Sequence, residues 1–465
     1  MEGKNNTSKI SLSSIPGFPE FSIGETIVMN EVQKKIKEIY ELYGYIPFDT
    51  RLVETDQVLK QKGIDSKELF SLNFLSKGVE YVPGEQRRKL ALRFDLTVPM
   101  ARYITQHKNL ISFPLKRYQI QKVYRAEGHK VATGRFNEFY QSDIDVVGFN
   151  KLDITYDSEF PAIVCDILKN VFNVDRFVIR ISNRKLLEGL FRENGLKEIE
   201  KIKRAVRIID DIEKVDSKTT IVKLDELGIN FENAQKILLF FKELYERTPR
   251  EAIDFLKESE FVDKQMKEGI DELEKVVNGV ISNGVDEKYF KVDARIARGL
   301  DYYTGTVYET NLLDHSEIGS ICSGGRYEDL VSTLSGNPDD KYPGVGISFG
   351  LTRLIPTLIK ANYLNAESQT IAKILVTCQD KKFISKYQEI GSMLRNVKIK
   401  TDVYLNKNVK LQKQLEYANK KKYKFVIIAN KYEFNENNVL IRNMENRTQE
   451  KVNINDIVEY LRNKI

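Results

Sequence analysis

The chain has 465 residues, 41% hydrophobic and 30% charged, a globular balance on a length that calls for more than one domain. No apolar run approaches the roughly 20 residues of a bilayer crossing, and the polar opening MEGKNNTSKISLSS lacks the apolar stretch of a secretory signal. Net charge is +6 but unevenly held: residues 371–465 carry 16 lysines and 4 arginines against 10 acids, a net +10, leaving −4 on the other 370. A basic end on a slightly acidic body suits a polyanionic partner, although a solvated lysine-rich surface would look the same. Cys165, Cys322 and Cys378 stand far apart without CxxC spacing, and only three histidines are present. That usage fits a reducing cytosol and argues against a disulfide framework or a zinc site.

Residues 1–20 read as a flexible leader. Ile27, Val28, Val32, Ile36, Ile39, Tyr40 and Tyr43 recur at three- and four-residue steps, which predicts an amphipathic helix over 25–43. IPFDTRLVE follows as a strand. From 88 to 147 the pattern is strand-rich, with LALRFDLT, RYQIQKVYR and FNEFYQSDIDVVG around a short helix at VPMARYITQ. EFPAIVCDILKNVF reads as a helix and RFVIRIS as a strand, closing a first core segment at 21–184. Lysine and glutamate dominate 185–285, where helical repeats such as ENAQKILLFFKELYERT predict an all-helical insertion with glycines at helix ends. Strands return in a second core segment, 286–365, with FKVDARIARGLDYYTGTVYET, GSICSGGRY and GVGISFGLTRLIPTLI. Beyond the polar stretch at 361–370, AKILVTC, KTDVYL, KFVIIAN and NVLIRNM alternate with helices, giving a compact α/β domain over 371–465.

Three constellations carry chemistry. Arg125, Arg135, Arg298, Arg326 and Arg353 each lie in or beside a strand–turn segment with small or glycine neighbours. Arginine presents a planar, permanently charged fork that matches phosphate oxygens, and glycine lets a backbone approach a ligand. Any one of the five could equally be a surface ion pair. No Walker-type or GxGxxG loop is present, so a bound phosphate would rest on arginines. Secondly, period-two alternation in FNEFYQSDIDVVG places Phe139, Gln141, Asp143 and Asp145 on one strand face. Buried, that face needs ligands, whereas exposed it is simply a polar side. Thirdly, RGLDYYTGTVYE sets Arg298 beside Tyr302 and Tyr303, a core-packing pair or one wall of a substrate site.

YRAEG…GRFNEFYQSDIDVVG resembles motif 2 of class II aminoacyl-tRNA synthetases, and GVGISFGLTRL is similar to their motif 3. RGLDYYTGTVYE and CSGGRYEDLV resemble the two histidine-recognition motifs of histidyl-tRNA synthetases, and LRFDLTVPMARY that family's amino-group strand. The likeness runs in family order from about residue 25 to the C-terminus. It implies an α/β (α+β) fold, the class II antiparallel sheet flanked by helices, with the helical insertion and a C-terminal α/β anticodon-binding domain. It implies ATP-dependent ligation of L-histidine to histidine tRNA in a cytoplasmic homodimer, with ATP as substrate, Mg²⁺ on its phosphates and no membrane association.

Residue by residue, the resemblance puts Arg125 on the ATP α-phosphate and Arg135 and Arg353 towards the outer phosphates. Glu127 and Phe139 would meet the adenine; Asp95, Thr97 and Gln141 would take the histidine amino group. Asp145 and Tyr303 would hold the imidazole, with Tyr302 lining that pocket, and Arg298 would sit between the substrate carboxylate and the α-phosphate. Glu433 falls where a strand of the anticodon-binding domain ends. The opening IPGFPEFSIG departs from the family's usual start, and the loop AEGHKVATGR is longer than the bacterial form, with His129 and Lys130 candidates for reading the tRNA acceptor end. The alternative is a non-catalytic paralogue resembling the regulatory subunit of ATP phosphoribosyltransferase, which usually lacks the anticodon domain.

Overall fold

The computed structural model describes residues 12–60, 66–73, 89–127, 135–212, 215–259, 263–296, 303–328, 334, 337, 339–406 and 409–464. Arg298, Tyr302, His129 and Lys130 therefore lie outside the described residues. The chain folds as two compact units, one of residues 1–19 and 32–358 and a second of residues 20–31 and 359–465.

Ser22 and Glu25 cap helix α1 (Ile23–Leu42) reciprocally, the hydroxyl accepting from the Glu25 amide and the carboxylate from the Ser22 amide. Val28, Val32, Ile36, Ile39 and Tyr40 are its buried stripe, as the periodicity predicts. IPFDTRLVE is not one strand: it forms β1 (Ile46–Pro47) and β2 (Val53–Thr55), broken at a bend. β2 pairs with β4 (Leu90–Leu92), which also pairs with β3 (Ser71–Leu72) in a small antiparallel sheet. The chain then turns at Asp95 into α3 (Thr97–His107); the helix between β2 and β3, α2, is Asp56–Lys60.

Among the described residues the main sheet has eight strands in the order β1, β5 (Leu115–Tyr124), β6 (Glu138–Val147), β11 (Gly344–Gly350), β10 (Ser320–Tyr327), β9 (Tyr303–Leu312), β7 (Phe177–Asn183) and β8 (Phe290–Val292). Its interior is antiparallel, and only the outermost pairs, β1 with β5 and β7 with β8, are parallel. β6 has neighbours on both sides, so its two faces diverge in chemistry. Ser142, Ile144 and Val146 are fully buried on one, where the Tyr40 hydroxyl of α1 lies 2.8 Å from Ser142 Oγ. The other face carries Phe139, Gln141, Asp143 and Asp145.

Between the neighbouring parallel strands β7 and β8 the chain makes a helical crossover: α4 (Glu159–Asp166) precedes β7, then come α5 (Arg184–Glu193), α6 (Ile199–Asp210), α7 (Ser217–Glu226), α8 (Phe231–Glu246), α9 (Pro249–Glu258) and α10 (Lys264–Ser282). Asn183, Asp216, Asn230, Thr248 and Asp263 cap α5, α7, α8, α9 and α10 with side-chain oxygens, which helps a lysine–glutamate composition resolve into separate helices. Interior glycines cost helix stability, but Gly189 and Gly269 let α5 and α10 meet closely. A Cβ at Gly189 would fall 2.6 Å from Met266 Cβ, and one at Gly269 2.9 Å from the Leu186 amide nitrogen.

In the second unit β13 (Thr401–Val403), β12 (Ile374–Val376), β14 (Phe425–Ile428), β15 (Asn438–Asn443) and β16 (Gln449–Asn453) form one sheet in that order. The parallel centre is covered on both faces, Ile374 and Ile427 packing on one and Leu375 and Val426 on the other, which explains the unbroken apolar runs ILV and FVII. Glu433 lies in a short helix after β14, where it completes a capping box with Asn430.

Arg326 does not join the other arginines. Its guanidinium is buried against Asp157 at 2.6 Å and donates to the Leu152 and Asp153 carbonyls, tying β10 to the turn at 154–158. The expectation of a phosphate contact here is corrected: Gly324 and Gly325 serve strand packing, a Cβ at Gly324 landing 2.0 Å from the Gly346 carbonyl oxygen. Arg326→Ala strands a buried carboxylate, and we expect a loss of about 3–5 kcal/mol. A lowered urea midpoint for the first unit would register it; an unchanged midpoint would mean that Asp157 finds another partner.

Candidate active site

A cavity of about 700 Å³ opens on the polar face of β6. Phe139, Gln141, Asp143 and Asp145 line it from that strand, Asp95 and Thr97 from the start of α3, Arg125 and Glu127 from beyond β5, and Arg135 from before β6. Tyr303 opens β9, Tyr327 ends β10, Ser348 lies on β11, and Arg353 sits in the helix Leu351–Lys360. Arg326 apart, every sequence-predicted site residue within the described segments of the first unit thus borders one space.

The cavity is polarised along β6. Asp145 and Phe139 are six residues apart, or roughly 20 Å at strand rise. At the Phe139 end, Arg125 donates to the Phe94 carbonyl at 3.1 Å and lies 4.4 Å from the Phe94 ring centre and 5.1 Å from that of Phe139. Stacking on aromatic faces holds the fork without consuming all its donors. Arg135 reaches Glu127 at 3.4 Å, and Arg353 donates to the Ser320 carbonyl at 2.9 Å.

At the far end the wall accepts hydrogen bonds. Asp95, Asp143 and Asp145 are all nearly buried. The Asp95 carboxylate accepts from the Val98 amide at 2.9 Å, which fixes it at the opening of α3. Behind Asp145, the fully buried Arg117 brings Nη2 within 2.5 Å of Oδ2, an ion pair outside hydrogen-bond alignment, while its Nε meets Met100 Sδ at 2.9 Å. The Tyr327 hydroxyl donates to Asp145 Oδ1 at 3.1 Å. Burial and the adjoining Asp145 push that phenol well above its ordinary range, so it stays a donor. Gly346 faces Asp145 across the strand pair, and a Cβ there would lie 2.2 Å from Oδ1. Only glycine leaves the carboxylate its room. Gln141 Oε1 is buried without a hydrogen-bond partner. An acceptor-lined end facing an arginine-lined end fits a ligand that is cationic at one extremity and phosphorylated at the other.

The family model described as histidyl-tRNA synthetase matches residues 17–354, and one described as anticodon binding domain matches residues 373–464. A histidine–tRNA ligase of Nostoc sp. is 38% identical over 98% of this chain and 99% of its own length. One from Clostridium tetani is 39% identical, covering 97% and 98%.

The chain belongs to the histidyl-tRNA synthetase family.

The crystal structure of the Nostoc histidyl-tRNA synthetase superposes with a TM-score of 0.87 at 38% identity, covering 98% of this chain and all of that one. A Bacillus halodurans structure described as an ATP phosphoribosyltransferase regulatory subunit/histidyl-tRNA synthetase has a TM-score of 0.69 at 18% identity, covering 88% and 97%, a likeness of fold.

The geometry adds residues that the family motifs did not single out. Arg117 falls opposite Asp145 in the β5–β6 register, and Ser348 opposite Asp143 in the β6–β11 register. Alternation in LKRYQIQKV and GVGISFG contains both, but only with strand pairing known. Tyr327 belongs to the SGGRY motif, where the neighbouring Arg326 draws the attention. Asp210, at the end of α6, is the helical crossover's contribution to the cavity wall, and no local pattern marks it.

Burial raises the Asp143 carboxyl to about 7, with Asp145 and Asp95 adding to the rise and Arg117 and Ser348 opposing it. A carboxyl raised on folding stabilises the ligand-free protein fully below the ordinary aspartate range, and that stability is lost as pH climbs through about 7. Asp143→Asn should therefore flatten the fall in Tm between pH 5 and pH 8. Parallel Tm–pH curves for parent and variant would contradict the assignment.

Proposed function

We propose that this chain catalyses ATP-dependent ligation of L-histidine to histidine tRNA through a histidyl-adenylate. The observation that carries the reading, in a member of this family, is the polarity of the cavity along β6. Histidine offers an ammonium and an imidazole to the acceptor-lined end, and ATP a triphosphate to the arginines.

In the first step a carboxylate oxygen of histidine attacks the α-phosphorus. The new oxygen–phosphorus bond forms as the bond to the β-phosphate bridging oxygen breaks, and pyrophosphate leaves. The nucleophile is already ionised at neutral pH, so the step needs alignment and charge neutralisation rather than a general base. We assign Arg125 to the α-phosphate and Arg135 and Arg353 to the outer phosphates, with Phe139 stacking on the adenine and Glu127 at its edge. Asp95, Thr97 and Gln141 take the ammonium. Asp145, oriented by Arg117 and Tyr327, and Tyr303 take the imidazole, with Tyr302 beside them. A side chain lacking both ring nitrogens would leave those buried groups unpaired, which is the source of selectivity. Arg298 completes the set between carboxylate and α-phosphate.

Mg²⁺ would come bound to the triphosphate and neutralise part of its charge, since magnesium prefers phosphate oxygens and water to a protein cage. In the second step the tRNA 3′-hydroxyl attacks the adenylate carbonyl, its proton passes to a phosphate oxygen, and AMP leaves as the ester forms. The basic second unit binds the anticodon. In the homodimer we propose, the edge strand β1, with Ile46 exposed, and the exposed Leu42 at the end of α1 contribute to the interface. The three described cysteines are unpaired, which suits a cytoplasmic protein, and no described helix is long and apolar enough to cross a membrane.

The non-catalytic alternative is disfavoured by the match to an anticodon-binding domain and by the arginines around the cavity. Pyrophosphate exchange measured across the amino acids should occur with histidine alone and without tRNA. Arg125→Ala should lower its kcat by on the order of 10²–10³. Exchange with a different amino acid would overturn the substrate, and none at all would favour the non-catalytic paralogue.

A further inference from the structure

We infer that Asp143 and Ser348 form a positioning relay that holds the Gln141 amide with its carbonyl oxygen, not its NH₂ group, towards the amino group of the amino acid. Neither residue belongs to the set assigned to substrate contacts. The inference rests on the reading that the histidine ammonium sits against Gln141.

The relay is written in the strand register. Ser348 on β11 pairs directly with Asp143 on β6, and Gly350, two residues on, pairs with Gln141. Ser348 therefore stands opposite one and diagonal to the other, within reach of both on the same face. Its hydroxyl donates to Asp143 Oδ1 at 2.5 Å, and its oxygen accepts from Gln141 Nε2 at 3.1 Å. Donor arithmetic makes the direction one-way. An ionised carboxylate only accepts, so the single serine proton goes to Asp143. The serine oxygen can then only accept, and of the two ends of the glutamine amide only the nitrogen can donate. Gln141 Oε1 is left buried in the cavity wall without a hydrogen-bond partner.

The other neighbour does not compete. On β5, Gln119 pairs with Asp143, but its amide nitrogen donates to Thr50 Oγ1 at 3.0 Å and Gln121 Oε1 at 2.8 Å. Burial raises the Asp143 carboxyl to about 7 against the opposing pull of Arg117 and Ser348, so the direction belongs to the ionised form and the measurements below are made above pH 8.

A free amide presents oxygen or nitrogen with nearly equal ease. Turned over, Gln141 would aim two N–H donors at an ammonium that has nothing to accept with. The relay removes that orientation, so the cavity selects a donor at this point and sends the substrate carboxylate the other way, towards the arginines. Losing one hydrogen bond to a charged group weakens binding on the order of tenfold to a hundredfold.

The test is a double-mutant cycle in the full-length enzyme, read by pyrophosphate exchange. Ser348→Ala should raise KM for histidine about tenfold or more and leave KM for ATP unchanged. In a Gln141→Glu background both side-chain ends are acceptors, so orientation no longer matters, and Ser348→Ala should then change KM for histidine less than twofold. A purely structural serine would cost the same in both backgrounds, and that result overturns the relay. Asp143→Asn gives a second arm, because its amide can donate to Ser348 and reverse the chain; its effect should likewise vanish with Gln141→Glu. Ligand-free melting curves identify any variant that fails to fold, and the other arm then decides. If the parent enzyme shows no exchange with histidine, the functional reading has failed; if the parent is active and neither variant shifts KM, only the relay has.

Discussion

Burying a row of polar side chains on an inner strand is expensive, and the first unit is arranged around that cost. β6 lies between β5 and β11, and Asp143 and Asp145 are buried on the face it turns to the cavity. Each therefore has a partner set by register: Arg117 and Tyr327 for Asp145, Ser348 for Asp143 and, through it, Gln141. The partners settle the protein's own share and leave acceptors facing inward. What remains is an acceptor-rich wall whose chemistry suits a cationic ligand. The same strand ends at Phe139 among arginines, so in the proposed reading one element sets the substrate's direction as well as its chemistry.

Much of this was legible in the sequence because strand alternation is strictly local. FNEFYQSDIDVV places its four polar-face residues together whatever the fold around them. The helical stretch was equally plain, since every helix there but α6 carries its own side-chain cap and each its own apolar period. What local pattern could not supply was pairing. Ser348 is an unremarkable serine in GVGISFG until β11 is laid beside β6, and Arg117 is one basic residue among several until β5 is laid on the other side. Asp210 reaches the cavity from a helix far along the chain, and nothing near it in sequence announces that.

Where sequence pattern and structure part, the causes are physical too. Arg326 shares the glycine-bordered setting of the other arginines, but Gly324 and Gly325 are small because β11 and β9 press against them. Glycine beside arginine signals close approach, and the approaching group here is backbone. IPFDTRLVE has strand composition throughout, yet the bend after Arg51 sends its halves to different sheets, β1 beside β5 and β2 beside β4. Composition reports the preference of each half and is silent about the break.

In the proposed reading, β6 dictates how the substrate lies. A crystal structure of the full chain with a non-hydrolysable histidyl-adenylate analogue tests it most directly. The imidazole should lie between Asp145 and Tyr303, the ammonium within hydrogen-bond reach of Gln141 Oε1 and Asp95, and the adenine on Phe139. An analogue bound in the opposite sense, or with its ammonium away from the carboxylates, would contradict it.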